Sequence, residues 1–232
     1  MLKAVIFDID NTLYDYDAAH VPAFAALTAY AQRELGIPAE AFPALHKWAE
    51  RTLAGRCGPN CAALHNRLLR YQALLEARGL PLRHAPAMSR LYWETLLDAM
   101  VVSEGAAEAM DALRQRGLLI GIGTNMTADC QFEKLIRLDL IDRVDFIVTS
   151  EEVTAEKPDR KIFDCCAAKA GCAPSECAFV GDNREADVLG AIAAGMKGVW
   201  LRRPDQPDQA VPGGVRIHSL KELPDAITSL EQ

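Results

Sequence analysis

Positive charge is in short supply: 25 Lys and Arg stand against 32 Asp and Glu in a chain of 232 residues, a formal net charge of -7. Gripping a nucleic acid polymer or an anionic membrane needs clustered positive charge, so both partners are disfavoured. A small anion, held by local cations or a metal, is not. An extended apolar run is missing near the amino terminus, where Ala4 to Phe7 is broken at once by Asp8 and Asp10. That stretch is too short for a signal peptide or a membrane span. The seven cysteines are an odd count without a secretory segment, which argues against a disulfide framework and for reduced thiols in a cytoplasmic protein. Cys57 and Cys61 flank Gly58-Pro59-Asn60, and Cys61 with His65 shares a helical face. The zinc reading this invites lacks the second close ligand pair usual in structural sites. Repeats and low-complexity tracts are absent too.

What is present is an ordinary globular mixture, half apolar and a quarter charged, long enough for one domain or a core with an insert. Lys3 to Phe7 reads as a short buried strand ending at Asp8. From Asp17 to about Val102 the period turns helical. Phe24, Leu27, Ala31 and Leu35 form one stripe and Phe42, Leu45, Ala49 and Leu53 a second. Leu64, Leu68, Tyr71 and Leu75 form a third, and Met88, Leu91, Tyr92, Leu96 and Ala99 a fourth. Gly79, Pro81 and Pro86 separate the last two, and four amphipathic helices predict a small bundle.

After Glu104 short apolar runs alternate with helical segments. The runs are Leu118 to Gly123, Val144 to Val148, Cys177 to Val180 and Gly198 to Leu201. The helices are Ala106 to Arg116, Ala128 to Leu138, Arg160 to Ala170 and Glu185 to Ala194. This is the grammar of an α/β fold, a doubly wound parallel sheet of Rossmann-like type. Residues 1-16 and 103-232 are therefore expected to form the core and 17-102 an inserted helical domain. The Pro-, Asp- and Gly-rich stretch Arg202 to Gly214 reads as a surface loop.

The chemistry-bearing residues follow four of these apolar runs, where the carboxyl ends of parallel strands bind ligands. They are Asp8, Asp10, Asn11 and Thr12, then Thr124 and Asn125, then Glu156, Lys157 and Pro158, and last Gly181, Asp182 and Asn183 followed by Asp187. Several carboxylates in one crevice repel one another, and a hard cation such as Mg2+ relieves that most simply. A lysine with small hydroxyl and amide donors beside such an ion suits a phosphoryl group under in-line attack.

Phe7-Asp8-Ile9-Asp10-Asn11-Thr12-Leu13, Thr124-Asn125, Lys157-Pro158 and Gly181-Asp182 with Asp187 resemble the four motifs of the haloacid dehalogenase-like hydrolases. The order matches and no motif position departs from the phosphatase pattern. The resemblance implies a Mg2+-dependent phosphatase acting on a small phosphorylated metabolite, with Asp8 as nucleophile and metal ligand. Asp10 would be the general acid and base, its main-chain carbonyl touching the metal. Thr124, Asn125 and Lys157 would bind the phosphoryl group, and Asp182 would be a direct metal ligand. Asp187 would orient metal-bound water or Lys157, and Asn183 is the weaker candidate for the metal shell.

A phosphomutase uses the same aspartates, whereas a dehalogenase of this fold needs neither Asp10 nor Asp182. A phospho-accepting signalling module is the non-enzymatic rival, but it carries its acceptor aspartate later in a shorter chain. The helical insert resembles the cap of this family and is expected to cover the strand ends. Its His46, His65, Arg51, Arg56 and Arg67 read first as solvated surface charge, one or two being candidates for reading a substrate. Trp48 and Trp93 fall near apolar stripes and are expected in the core. Phosphoglycolate, nucleoside monophosphates and sugar phosphates all suit such a site, and no oligomeric state is legible.

Overall fold

The computed structural model describes residues 1-58, 60-207 and 209-231; Pro59, in the turn read between Cys57 and Cys61, and Asp208, in the loop after Arg202, lie outside them. The chain forms two compact units, Met1–Asp15 with Val101–Gln232, and Tyr16–Met100. In chain order, β1 (Ala4–Phe7) precedes the helices α1 (Tyr16–Leu35), α2 (Phe42–Cys57), α3 (Arg67–Ala77) and α4 (His84–Ala99). Then come α5 (Ala106–Gln115), β2 (Leu119–Thr124), α6 (Ala128–Arg137), β3 (Phe146–Thr149), the single turn α7 (Ser150–Val153) and α8 (Arg160–Ala170). β4 (Cys177–Gly181) leads into a π-helical turn, Arg184–Leu189, continued as α9 (Gly190–Ala193), and β5 (Lys197–Leu201), β6 (Gly214–Ile217) and α10 (Leu223–Leu230) complete the chain.

The six strands make one parallel sheet in the order β3-β2-β1-β4-β5-β6. β1 is central, and all four of its residues are buried, as a strand covered on both faces requires. The chain winds outward from β1 through β2 and β3, then resumes on the other side at β4. The switch point of the sheet thus lies between β1 and β4, and Asp8 and Asp182 follow the ends of those two strands. Against the sheet, Ile6, Val148, Ile162, Phe163, Cys166 and Phe179 form one apolar cluster. The rings of Phe163 and Phe179 meet edge to face with centroids 5.1 Å apart, an arrangement favoured by the ring quadrupoles.

In the helical unit α1 packs on α4, α2 on α3 and α3 on α4, around Leu27, Phe42, Ala49, Tyr71, Leu74, Met88, Tyr92 and Leu96. The third helix starts later than its apolar stripe suggests. Leu64 lies in a separate 3-10 turn, Ala62–His65, and Asn66 caps α3 by accepting a bond from the Leu69 N–H at 3.3 Å. A capping Asn satisfies an otherwise orphaned amide. Leu68, the next residue of that stripe, is left 38% exposed.

Trp48 also departs from expectation, standing 43% exposed rather than in the core. Cys57, Cys61 and His65 form no metal-holding group; among the described residues the one such group is acidic and lies elsewhere. All seven cysteines are free thiols. No helix is long and apolar enough to cross a membrane. The strand β6 and helix α10 were not legible: β6 is an edge strand of four residues, half exposed, opening in the stretch read as loop.

Truncating the buried Phe163 to Ala empties a ring-sized volume against β4 and should cost about 3-5 kcal/mol of unfolding free energy. Urea denaturation of Phe163→Ala measures this, and a loss below about 1 kcal/mol would contradict the packing described.

Candidate active site

The turn after β1 begins the site. Asn11 sits in the left-handed region with φ 59°, which Asn tolerates better than most side chains. The amides of Thr12 and Leu13 both donate back to the Ile9 carbonyl, at 3.2 and 2.9 Å. This tight reversal places the Thr12 hydroxyl to accept from the Asp182 amide at 3.1 Å, and the Asp8 amide donates to the Val180 carbonyl at 2.9 Å. The ends of β1 and β4 are thereby tied together on both sides of the switch point.

Lys157 enters from the loop after β3, through a cis peptide bond to Pro158. Its amide donates to the Asn125 side-chain oxygen at 2.8 Å, so the loops after β2 and β3 fix each other. The buried ammonium of Lys157 lies 2.7 Å from an Asp8 oxygen and 2.7 Å from an Asp187 oxygen. Asp187, 1% exposed, is held in turn by the Asn183 amide, which donates to its Oδ2 at 3.0 Å. Gly181 makes this approach possible, because a Cβ there would collide with the Asp187 carboxylate.

Asp8, Asp182 and Asp187 each offer a carboxylate oxygen within 4.8 Å of the others, a grouping able to hold a metal ion. The electrostatics carry the same message. Burial pushes the Asp182 carboxyl up to about 8, and repulsion from Asp8 and Asp187 adds to it, against the pull of Lys157 and Arg203. Burial likewise pushes Asp187 up to about 6, while Lys157 pulls it back. Burial disfavours the Lys157 charge, but Asp187 and Asp8 outweigh it and raise its pKa. One lysine is therefore set against three carboxylates, and the surplus negative charge is what a cation would relieve.

Asp10 stands apart from that group. Its carboxylate receives Lys134 Nζ at 2.6 and 2.8 Å and the Tyr14 hydroxyl at 2.5 Å. Lys134 is wholly buried. Thr124, at the end of β2, is 1% exposed, and its Oγ1 accepts from Gln131 Nε2 at 2.6 Å. That bond uses an acceptor lone pair of the hydroxyl and leaves its proton available to a ligand. Asn183 spends its side-chain oxygen on the amides of Glu185 and Ala186, at 3.1 and 3.0 Å. It caps the π-helical turn that presents Asp187.

Of the residues expected from the sequence, Asp8, Lys157, Asp182 and Asp187 come together, and Asn125 and Asn183 brace them from behind. Lys134 and Gln131 are contacts that sequence reading missed. Both lie on the buried face of α6 beside Leu135, while Phe132 and Ile136 are 46% and 52% exposed. Two polar residues on the inward face of a helix carrying outward apolar ones are the available signal, and it needs the facing known in advance.

Comparison with known proteins accords with this geometry. The family model described as haloacid dehalogenase-like hydrolase matches residues 2–195. A ribulose-1,5-bisphosphate 5-phosphatase of Halopiger xanaduensis is 36% identical over 99% of this chain and 97% of its own length. A HAD phosphatase from Thermococcus onnurineus superposes with a TM-score of 0.75 at 26% identity, over 97% of this chain and 98% of the other. A 2-haloacid dehalogenase from Pseudomonas syringae does so with a TM-score of 0.76 at 26% identity, over 99% of each. With the family model matching most of the chain and a phosphatase relative matching nearly all of it, the chain belongs to the haloacid dehalogenase-like hydrolases, as a member of phosphatase type.

Proposed function

We propose that this chain hydrolyses a small phosphomonoester in two displacements, with Asp8 carrying the phosphoryl group between them. The observation that carries the reading is Lys157, fixed between Asp8 and Asp187 at 2.7 Å from each beside a third carboxylate, Asp182. An all-oxygen set of this kind fits Mg2+. Asp8 and Asp182 would hold the ion, with the Asp10 main-chain carbonyl, and Asp187 would orient its water. Bound there, it would neutralise phosphoryl oxygens and cancel the repulsion among the carboxylates.

The residues of the chain then take distinct parts. An oxygen of Asp8 forms a bond to phosphorus as the ester P–O bond breaks, and the leaving oxygen takes a proton from Asp10. Asp10 afterwards removes a proton from water, whose oxygen attacks phosphorus; the bond to Asp8 breaks and inorganic phosphate leaves. Thr124 donates its free hydroxyl proton to a phosphoryl oxygen, Asn125 fixes the Lys157 loop, and Lys157 supplies positive charge to the transferring group. Lys134 and Tyr14 hold the Asp10 carboxylate in place. Splitting one difficult hydrolysis into two displacements is the benefit of a covalent nucleophile.

The Halopiger relative, matched along nearly its whole length, supports a small phosphorylated metabolite as substrate. The presence of both Asp10 and Asp182 favours phosphoryl over halide chemistry. The seven free thiols suit a reducing cytoplasm.

With p-nitrophenyl phosphate and Mg2+ the chain should turn over, EDTA should abolish that turnover, and Asp8→Asn should reduce kcat by roughly 10³-fold or more while the protein stays folded. Substantial activity in a clean Asp8→Asn preparation would remove the covalent step. A second outcome concerns pH. Because the folded chain raises Asp182 from its ordinary 3.8 to about 8, it binds more protons than the unfolded chain between those values. Its metal-free stability therefore falls as pH rises through that window. The Tm without metal should drop between about pH 5 and pH 8, and the rise produced by Mg2+ should be larger at the higher pH. A larger Mg2+ effect at the lower pH would contradict the assignment.

A further inference from the structure

The helical unit holds a buried positive charge that no carboxylate among the described residues pairs with. Arg67, the first residue of α3, is 6% exposed. Its Nη2 donates to the hydroxyls of Tyr16 at 2.9 Å and Tyr92 at 3.4 Å, and the guanidinium lies over the Tyr92 ring at 4.8 Å and near Trp93 at 5.6 Å. Among the described residues its Nε and Nη1 are buried without a hydrogen-bond partner. Those two atoms carry three of the five N–H donors of an arginine.

Arg70, one turn further on, shows how the same fold treats a buried arginine it has provided for. It pairs with Glu50 at 2.8 Å and donates from Nε and Nη2 to the Leu64 carbonyl at 2.9 and 2.6 Å. Arg67 has no such carboxylate among the described residues. Arginine cannot shed its proton, so Arg67 remains a desolvated cation without a counter-charge, an arrangement protein interiors avoid.

The deficit extends to its neighbours. His46 Nε2 and the Tyr71 hydroxyl are also buried without partners, and their rings lie 6.1 Å apart. Both groups feel the Arg67 charge. Burial, reinforced by Arg67 and Arg70, pushes His46 down to about 3, so it is a neutral imidazole and adds no second charge. Buried polar atoms are nearly always paired, and here four of them, on three side chains of α2 and α3, are left open together. Each of the three side chains can donate a hydrogen bond.

We infer that Arg67, with His46 and Tyr71, forms an oxyanion-binding site in the helical unit, built for a phosphate or carboxylate group. A second anionic group on the substrate is one source of that oxyanion, and this source rests on the phosphatase reading above. A free inorganic anion is the other.

Inorganic sulfate, compared with chloride at equal ionic strength, is the probe, applied to the full chain and to Arg67→Gln and Tyr71→Phe. Sulfate should raise the wild-type Tm by about 2-4 °C, and each variant, verified as folded by circular dichroism, should lose at least half of that rise. Sulfate binding in the core contributes equally to all three proteins. If Arg67→Gln does not fold, Tyr71→Phe, which removes one oxygen atom, carries the comparison. An equal sulfate shift in wild type and the folded variants overturns the site.

The source is read separately, from the ratio of kcat/KM for a sugar bisphosphate to that for the matching monophosphate, with Mg2+ present. A fall of tenfold or more in this ratio in the variants assigns the oxyanion to the substrate. An unchanged ratio together with a lost sulfate shift assigns it to a free anion. Failure of the wild type to turn over any phosphomonoester would defeat the phosphatase reading and leave the sulfate comparison intact.

Discussion

The structure turns on an imbalance of charge at the switch point of the sheet. One buried ammonium, Lys157, lies between two carboxylates at 2.7 Å, and a third carboxylate stands close by. No fold gathers such groups for stability, since buried carboxylates in excess of their cations are costly. The arrangement becomes reasonable under the function proposed above, in which the surplus negative charge holds a divalent ion and presents an oxygen of Asp8 to phosphorus. The hydrogen bonds around the site serve that purpose: Thr12 to the Asp182 amide, Asn125 to the Lys157 amide and Asp187 to the Asn183 amide each lock one loop to another or to itself.

Parallel topology explains why so much of this is legible in the sequence. Strands buried on both faces, such as Ala4 to Phe7, are short continuous apolar runs, and the first polar residue after each marks the carboxyl edge of the sheet. Asp8, Thr124 and Asp182 declare their places in that way, and Lys157 follows from its position after β3. The helical block was legible from its period. What the pattern did not carry was facing. The inward side of α6 bears Gln131 and Lys134 while Phe132 and Ile136 look outward, so periodicity alone assigns that helix the wrong interior. The edge strand β6 and the exposed Trp48 escaped for a related reason: edge strands and single surface aromatics obey local composition weakly.

Function in this chain is therefore written at two levels. The groups proposed to react stand at strand ends, where the doubly wound sheet dictates their position. Arg67 belongs to the other level. It reads in sequence as one more charged residue of a helical insert, and only its burial, its two idle nitrogens and the open polar atoms of His46 and Tyr71 set it apart. Such a site depends on which face of a helix is turned inward, information that a single sequence holds only faintly.

Titration calorimetry of Mg2+ into the full chain tests the central claim most directly. One ion should bind per chain, and Asp182→Ala, still folded, should weaken that binding by about tenfold or more, since a coordinating carboxylate is lost and a hard cation depends on its oxygen donors. Undiminished Mg2+ binding in folded Asp182→Ala would contradict the account.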